Sequence, residues 1–145
     1  MLRSRETSVA YPARPHVLPA SDLGALLALA ERIADETGQM LRADRKLPRG
    51  AASAFDTKDD SSPVTELDRR IEARMRDMIG AAFPGHGILG EEFAPDRVDA
   101  EFVWVIDPID GTKQFIAGVP VYGTLISVTR AGTPVDTSHG VRAKT

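Results

Sequence analysis

Apolar positions along this 145-residue chain fall into two helical stripes followed by several short strand-like runs. From Ser21 onward, Leu23, Leu26, Leu27, Ala30, Ile33, Ala34 and Leu41 share one helical face, while Glu31, Arg32, Asp35 and Glu36 lie elsewhere. Ser21 or Asp22 is the candidate N-cap. Leu67, Ile71, Met75, Met78, Ile79 and Ala82 form a second stripe, which predicts a helix over 66–82. Its polar side carries Arg69, Arg70, Arg74, Arg76 and Asp77, and its methionines read as packing residues. Pro84-Gly85-His86-Gly87 stops it. Ile88-Leu89 then predicts a short strand, and the unbroken apolar run 102–106 a strand covered on both faces. A further strand is predicted over 124–128, and a turn at Ala131-Gly132-Thr133-Pro134. Helices first and strands afterwards predict an α+β fold rather than regular βαβ alternation.

Between the stripes, residues 42–62 carry charges, Pro48, Gly50 and small side chains, which predicts a long connection with one short strand near Ala54-Phe55. Residues 1–20 open with Met1-Leu2-Arg3-Ser4-Arg5 and hold three prolines, as expected of a disordered tail, with a targeting peptide as the alternative. Residues 21–135 are expected to form one domain and 136–145 a second, polar tail. With 42% hydrophobic residues the chain can bury a core. Eighteen basic against 21 acidic residues give a net charge of −3, with no long basic tract, so no nucleic-acid partner is expected. No apolar run approaches a membrane span, so no membrane partner is expected and the location is read as cytoplasmic. The absence of cysteine removes disulfides, thiolate metal sites and a cysteine nucleophile.

Candidate chemistry concentrates in Trp104-Val105-Ile106-Asp107-Pro108-Ile109-Asp110-Gly111-Thr112-Lys113. Pro108 has no N–H for a ladder, so regular pairing is expected to end there. Asp107 and Asp110 can then point to one side, with the Ile109 carbonyl adding a third oxygen. Clustered hard oxygens without His or Cys suit Mg²⁺ or Mn²⁺ rather than Zn²⁺. Gly111 allows close backbone approach, and a helical turn starting at Thr112 would offer N–H groups to a phosphate. The bland alternative is an Asp-Pro turn with an Asx-type cap. The whole Asp-Pro-Ile-Asp-Gly-Thr run behind a buried strand favours the metal–phosphate reading.

Two other segments carry acids. Asp68 lies one turn into the second helix, where it reads equally as a capping-box variant behind Thr65 or as a proton acceptor for a hydroxyl. Lys58 is by default a solvated cation, or a group that draws in phosphate. Gly90-Glu91-Glu92 alone would be a solvated turn, but Mg²⁺ needs more ligands than Asp107 and Asp110 supply. His16, His86 and His139 lack ligand spacing and read as ordinary surface or turn residues.

Lys58-x-Asp60-x-Ser62-Pro63-Val64-Thr65-x-x-Asp68, then Gly90-Glu91-Glu92, then Asp107-Pro108-Ile109-Asp110-Gly111-Thr112, resemble the inositol monophosphatase family over about residues 23–134. The resemblance implies the N-terminal half of that family's layered sugar-phosphatase fold, with two long helices on a mainly antiparallel sheet. It implies one Mg²⁺ on Glu91, Asp107 and the Ile109 carbonyl, a second on Asp107 and Asp110, and Glu91 reaching a third. Thr112 would orient and help deprotonate the attacking water, with Asp68 accepting from its hydroxyl. Asp110 and the N–H groups of Gly111 and Thr112 would bind the phosphorylated substrate, with Lys58 assisting. A homodimer is expected on the resemblance alone.

Lys113-Gln114-Phe115-Ile116, Tyr122-Gly123-Thr124-Leu125-Ile126 and Gly87-Ile88-Leu89-Gly90-Glu91-Glu92 are most similar to the histidinol-phosphate phosphatase branch. Inositol or related sugar phosphates rank second, and 3′-phosphorylated adenosine nucleotides third. The family's C-terminal α/β half, with its tryptophan-alanine motif and further metal-binding aspartate, is absent. Residues 136–145 are polar where an apolar strand is expected, the pattern of a truncated or frame-shifted product. The second Mg²⁺ is then expected to bind weakly, and the sheet to expose an apolar face. A non-catalytic remnant or partner-binding half-domain is the competing reading.

Overall fold

The computed structural model describes residues 20–45, 55–57 and 63–135. Helix α1 (Ala20–Arg45) is followed by strands β1 (Phe55–Thr57) and β2 (Pro63–Thr65), helix α2 (Glu66–Ala82), strands β3 (Gly87–Leu89) and β4 (Phe102–Asp110), helix α3 (Thr112–Ala117), and strands β5 (Gly123–Arg130) and β6 (Thr133–Pro134). The order is the α+β one expected. The expected tails, most of the connection between the first two helices, and Lys58 lie outside the described residues.

Both amphipathic stripes become helix faces. Leu26, Leu29, Ala30, Ile33 and Leu41 of α1 are buried, as are Leu67, Ile71, Met75 and Ile79 of α2. Thr37 also lies inside, its hydroxyl donating to the Ile33 carbonyl one turn back at 2.7 Å. The two helices pack on each other, α2 against β4 and α1 against β5. An exposed Arg74–Glu36 pair at 3.1 Å bridges them and adds little. None of the described helices is long and apolar enough to cross a membrane.

The main sheet has the order β3-β4-β5-β6, with β3 parallel to β4 and the other pairs antiparallel, so it is mixed. Trp104 and Ile106 of β4 point into the core with Val128 of β5. The opposite face is open among the described residues: Leu89, Val105 and Leu125 are exposed by 40%, 37% and 53%. The expectation that β4 is covered on both faces is therefore corrected, because the helices pack on one side only. Residues 63–65 lead directly into α2, as the helix-entry reading has it, and also pair antiparallel with β1 as a two-stranded ribbon. Ala131 and Gly132, both at positive φ, turn β5 into β6 as expected.

Candidate metal and phosphate site

The site is built where β4 stops being regular. Asp107 pairs with Leu125 and Asp110 with Gly123, so three steps on β4 match two on β5. That extra residue is a β-bulge, and it absorbs the proline that cannot donate to the ladder. Regular pairing ends around Pro108, as expected, and the strand resumes past the bulge at Asp110. The bulge also answers a geometric problem. Strict alternation would send Asp107 and Asp110 to opposite faces. Here Pro108 and Ile109 are both buried, and the two aspartates share the more open side. The Thr124 hydroxyl of β5 ties the bulge down by donating to the Pro108 carbonyl at 2.9 Å.

Asp107 is the electrostatic centre of the site. Its pKa is pushed up to about 6, first by burial and then by the charges of Glu91, Asp110 and Asp68; the Ile109 N–H, donating to its carboxylate, opposes them. Carboxylates from three separate stretches therefore lie within electrostatic reach of Asp107. The Ile109 N–H contact realises the Asx-type turn, so the bland reading holds for one Asp107 oxygen. The other, Oδ1, is buried with no hydrogen-bond partner. A buried acceptor facing three like charges calls for a proton or a cation. All the candidate donors are hard oxygens, which fits Mg²⁺ or Mn²⁺. Among the described residues no three such side chains already converge to ligand distance.

The remaining predicted residues fall around this centre. Glu91 is exposed on the bend after β3. Asp68 is 3% exposed and contributes to the raised pKa of Asp107. Thr112 opens α3, its hydroxyl donating to the Ile109 carbonyl at 2.9 Å. That hydroxyl's single proton is committed there in this arrangement, whereas the expectation gave it to Asp68. The carbonyl keeps a second lone pair for a cation. Gly111 sits at φ 84° and ψ 41° with no side-chain cap on α3. A Cβ there would lie 3.0 Å from the Val121 carbonyl oxygen, so conformation and space both demand glycine.

The sequence profile of the inositol monophosphatase family matches residues 22–136. The chain belongs to that family. Histidinol-phosphatase of Mycobacterium tuberculosis is 43% identical over 114 residues, covering 78% of this chain and 41% of that protein. The chloroplastic bifunctional phosphatase IMPL2 of Arabidopsis thaliana is 41% identical over 123 residues, covering 83% of this chain and 34% of its own length. Among solved structures, the extragenic suppressor protein suhB of Bartonella henselae superposes with a TM-score of 0.67 at 26% identity, over 77% of this chain and 42% of that one. The chain thus spans less than half the length of each of these inositol monophosphatase-like proteins.

Two residues of this family member escaped the sequence reading. Glu72 lies on α2 one turn beyond Asp68, is fully buried, and accepts the Glu92 N–H at 2.6 Å and the Phe93 N–H at 3.3 Å. A charged residue interrupting the stripe between Ile71 and Met75 was the available signal. His86 is the other. It is stacked between Phe83 at 4.5 Å and Phe102 at 4.9 Å, and its Nδ1 accepts the Trp104 indole N–H at 3.1 Å. Burial holds its pKa below the usual histidine value, against the opposing charge of Glu101. It closes the turn after α2, as the turn reading has it, but it stacks on the core, which corrects its reading as an ordinary surface residue.

Proposed function

We propose that this chain contributes the cation- and phosphate-binding part of a Mg²⁺-dependent phosphomonoester hydrolase acting on histidinol phosphate. The observation that carries the reading is Asp107, whose buried, unpartnered oxygen faces Glu91, Asp110 and Asp68 at the bulged end of β4. Glu91, Asp107, Asp110 and the Ile109 carbonyl would supply this chain's ligands to a complete site of two or three Mg²⁺ ions, with Mn²⁺ able to replace them. Bound cations would supply charge stabilisation to the phosphoryl group and lower the pKa of water beside it. The chain's own groups do the rest. The N–H groups of Gly111 and Thr112, at a helix start with no side-chain cap, orient the phosphate. The Thr112 hydroxyl aligns the attacking water once it turns from the Ile109 carbonyl, and Asp68, held inside the same cluster, receives its proton. Lys58 adds positive charge for the incoming phosphate.

The substrate is drawn from the histidinol-phosphate branch because the M. tuberculosis relative named histidinol-phosphatase is 43% identical over most of this chain. Inositol 1-phosphate is the second reading, supported by the family match. Phosphate release with Mg²⁺ from histidinol phosphate, inositol 1-phosphate and 3′-phosphoadenosine phosphate tests the choice. Fastest release from the first, abolished by Asp110→Asn, is the expected result. No release from any of them would favour a non-catalytic, partner-binding role.

A further inference from the structure

The Gly90-Glu91-Glu92-Phe93 turn carries one of the four carboxylates but makes little structure of its own. Glu91 is exposed, and the turn belongs to no regular element. The antiparallel Ile88–Asp96 bridge closes the surrounding loop, and α2 holds the turn within it. Glu72 sends its carboxylate out of the buried face of that helix and meets the turn from behind. Oε2 accepts from the Glu92 N–H at 2.6 Å, and Oε1 from the Phe93 N–H at 3.3 Å and the Arg76 Nε–H at 2.9 Å. A second guanidinium nitrogen of Arg76 donates to the Phe93 carbonyl at 3.3 Å, and the guanidinium lies 5.7 Å from the Phe93 ring centre. The turn is therefore gripped at two N–H groups and one carbonyl. At Gly90 a Cβ would overlap the Glu72 carboxylate, so the glycine of the acidic motif exists to let Glu72 in.

An ordinary i,i+4 pair between Glu72 and Arg76 would sit on a solvated face. This one is fully buried at Glu72 and spends its remaining acceptors on a segment twenty residues away. Asp68 and Glu72 are themselves one turn apart, about 6 Å along the axis. One stretch of helix thus presents a carboxylate to Asp107 and sets the position of the residue that supplies Glu91.

We infer that Glu72 is the positioning residue for Glu91: its buried carboxylate, backed by Arg76, locks the turn that delivers Glu91 to the cation cluster. The inference rests on the reading of that cluster as a divalent-cation site. The backbone hydrogen bonds that a metal ligand's neighbours accept or donate decide where its oxygen can reach. Loss of such support typically lowers metal affinity about 10- to 100-fold.

The test is Mn²⁺ binding to the full 145-residue chain by titration calorimetry, alongside amide hydrogen exchange of the cation-free protein. Glu72→Gln is expected to weaken Mn²⁺ binding about 10-fold while circular dichroism reports a folded chain, approaching the effect of Glu91→Gln. Exchange at Glu92 and Phe93 should accelerate selectively. Met75→Ala, equally buried on the same helix, should lose stability but keep its Mn²⁺ affinity, which separates positioning from general weakening. If Glu72→Gln does not fold, Arg76→Gln loosens the same grip from its more exposed partner, whose side chain is 17% exposed against none at Glu72, and is expected to weaken Mn²⁺ binding with the helix intact. Wild-type affinity in a folded Glu72 or Arg76 variant would overturn the inference and leave the cation site standing. A wild-type chain that binds no Mn²⁺ would overturn the cation-site reading itself, and this inference with it.

Discussion

The two acid-bearing turns of the site are held in opposite ways. The turn from Asp107 to Thr112 is secured by its own chain and adjoining strand: a bulge that absorbs Pro108, a Thr112 hydroxyl on the Ile109 carbonyl, a Thr124 hydroxyl on the Pro108 carbonyl, and a glycine at φ 84°. The turn carrying Glu91 is gripped instead by Glu72 and Arg76 of a helix about twenty residues earlier. The first turn is legible as a motif because its local sequence builds it. The second shows only its glycine and acids, and its support looks like an unremarkable helical charge pair until the helix is docked. Acidic motifs of similar appearance can therefore depend on quite different parts of a molecule.

The contrast is sharpest under substitution. Glu72→Ala removes one partner of a buried, hydrogen-bonded ion pair and strands two amides, and should destabilise the fold by about 3–5 kcal/mol in urea unfolding. A loss below about 1 kcal/mol would show that the Glu91 turn supports itself. Gly90→Ala forces a methyl group into the Glu72 carboxylate and should lose about 1–3 kcal/mol. The same change in a Glu72→Ala background should lose far less, because the two residues share one space. Equal losses in both backgrounds would detach Gly90 from Glu72. For the other turn, Thr124→Val leaves the Pro108 carbonyl without its donor and should lose about 1 kcal/mol. Amide exchange at Glu92 should not respond, since the Thr124 hydroxyl is bonded to the Pro108 carbonyl on the other turn.

Changes with pH separate the framework from the site. His86 in the framework has a folded pKa below 6.5. Between those values the unfolded chain binds the additional proton, so stability is present above 6.5 and is lost as pH falls through the folded value. Asp107 in the site has a folded pKa of about 6 against an ordinary 3.8. There the folded chain binds the additional proton, so the fold weakens as pH rises through that window. Melting temperature against pH, without divalent cations, should show the first slope flattened by His86→Gln. Asp107→Asn should flatten the second and raise the melting temperature above pH 6. Mg²⁺ should stabilise the wild type and leave Asp107→Asn unchanged, because a ligand stabilises only the state that binds it.

Hydrophobic periodicity alone was enough for the two helices, the strands β3 to β5 and the turn into β6, since each is a local pattern repeated every 3.6 or two residues. The spacing of three acidic segments was enough to propose a cation beside a phosphate cradle. Other features needed the tertiary structure. The shared side of Asp107 and Asp110 comes from a bulge, and a bulge exists only as a mismatch between two paired strands. The burial of Asp68, the aromatic stack around His86 and the single-sided covering of β4 arise from elements that meet only when the helices dock on the sheet. Glu72 is the clearest case. Side-chain spacing reports which face of a helix a carboxylate occupies, but its partners are amides contributed by a distant segment, and no local pattern encodes that distance.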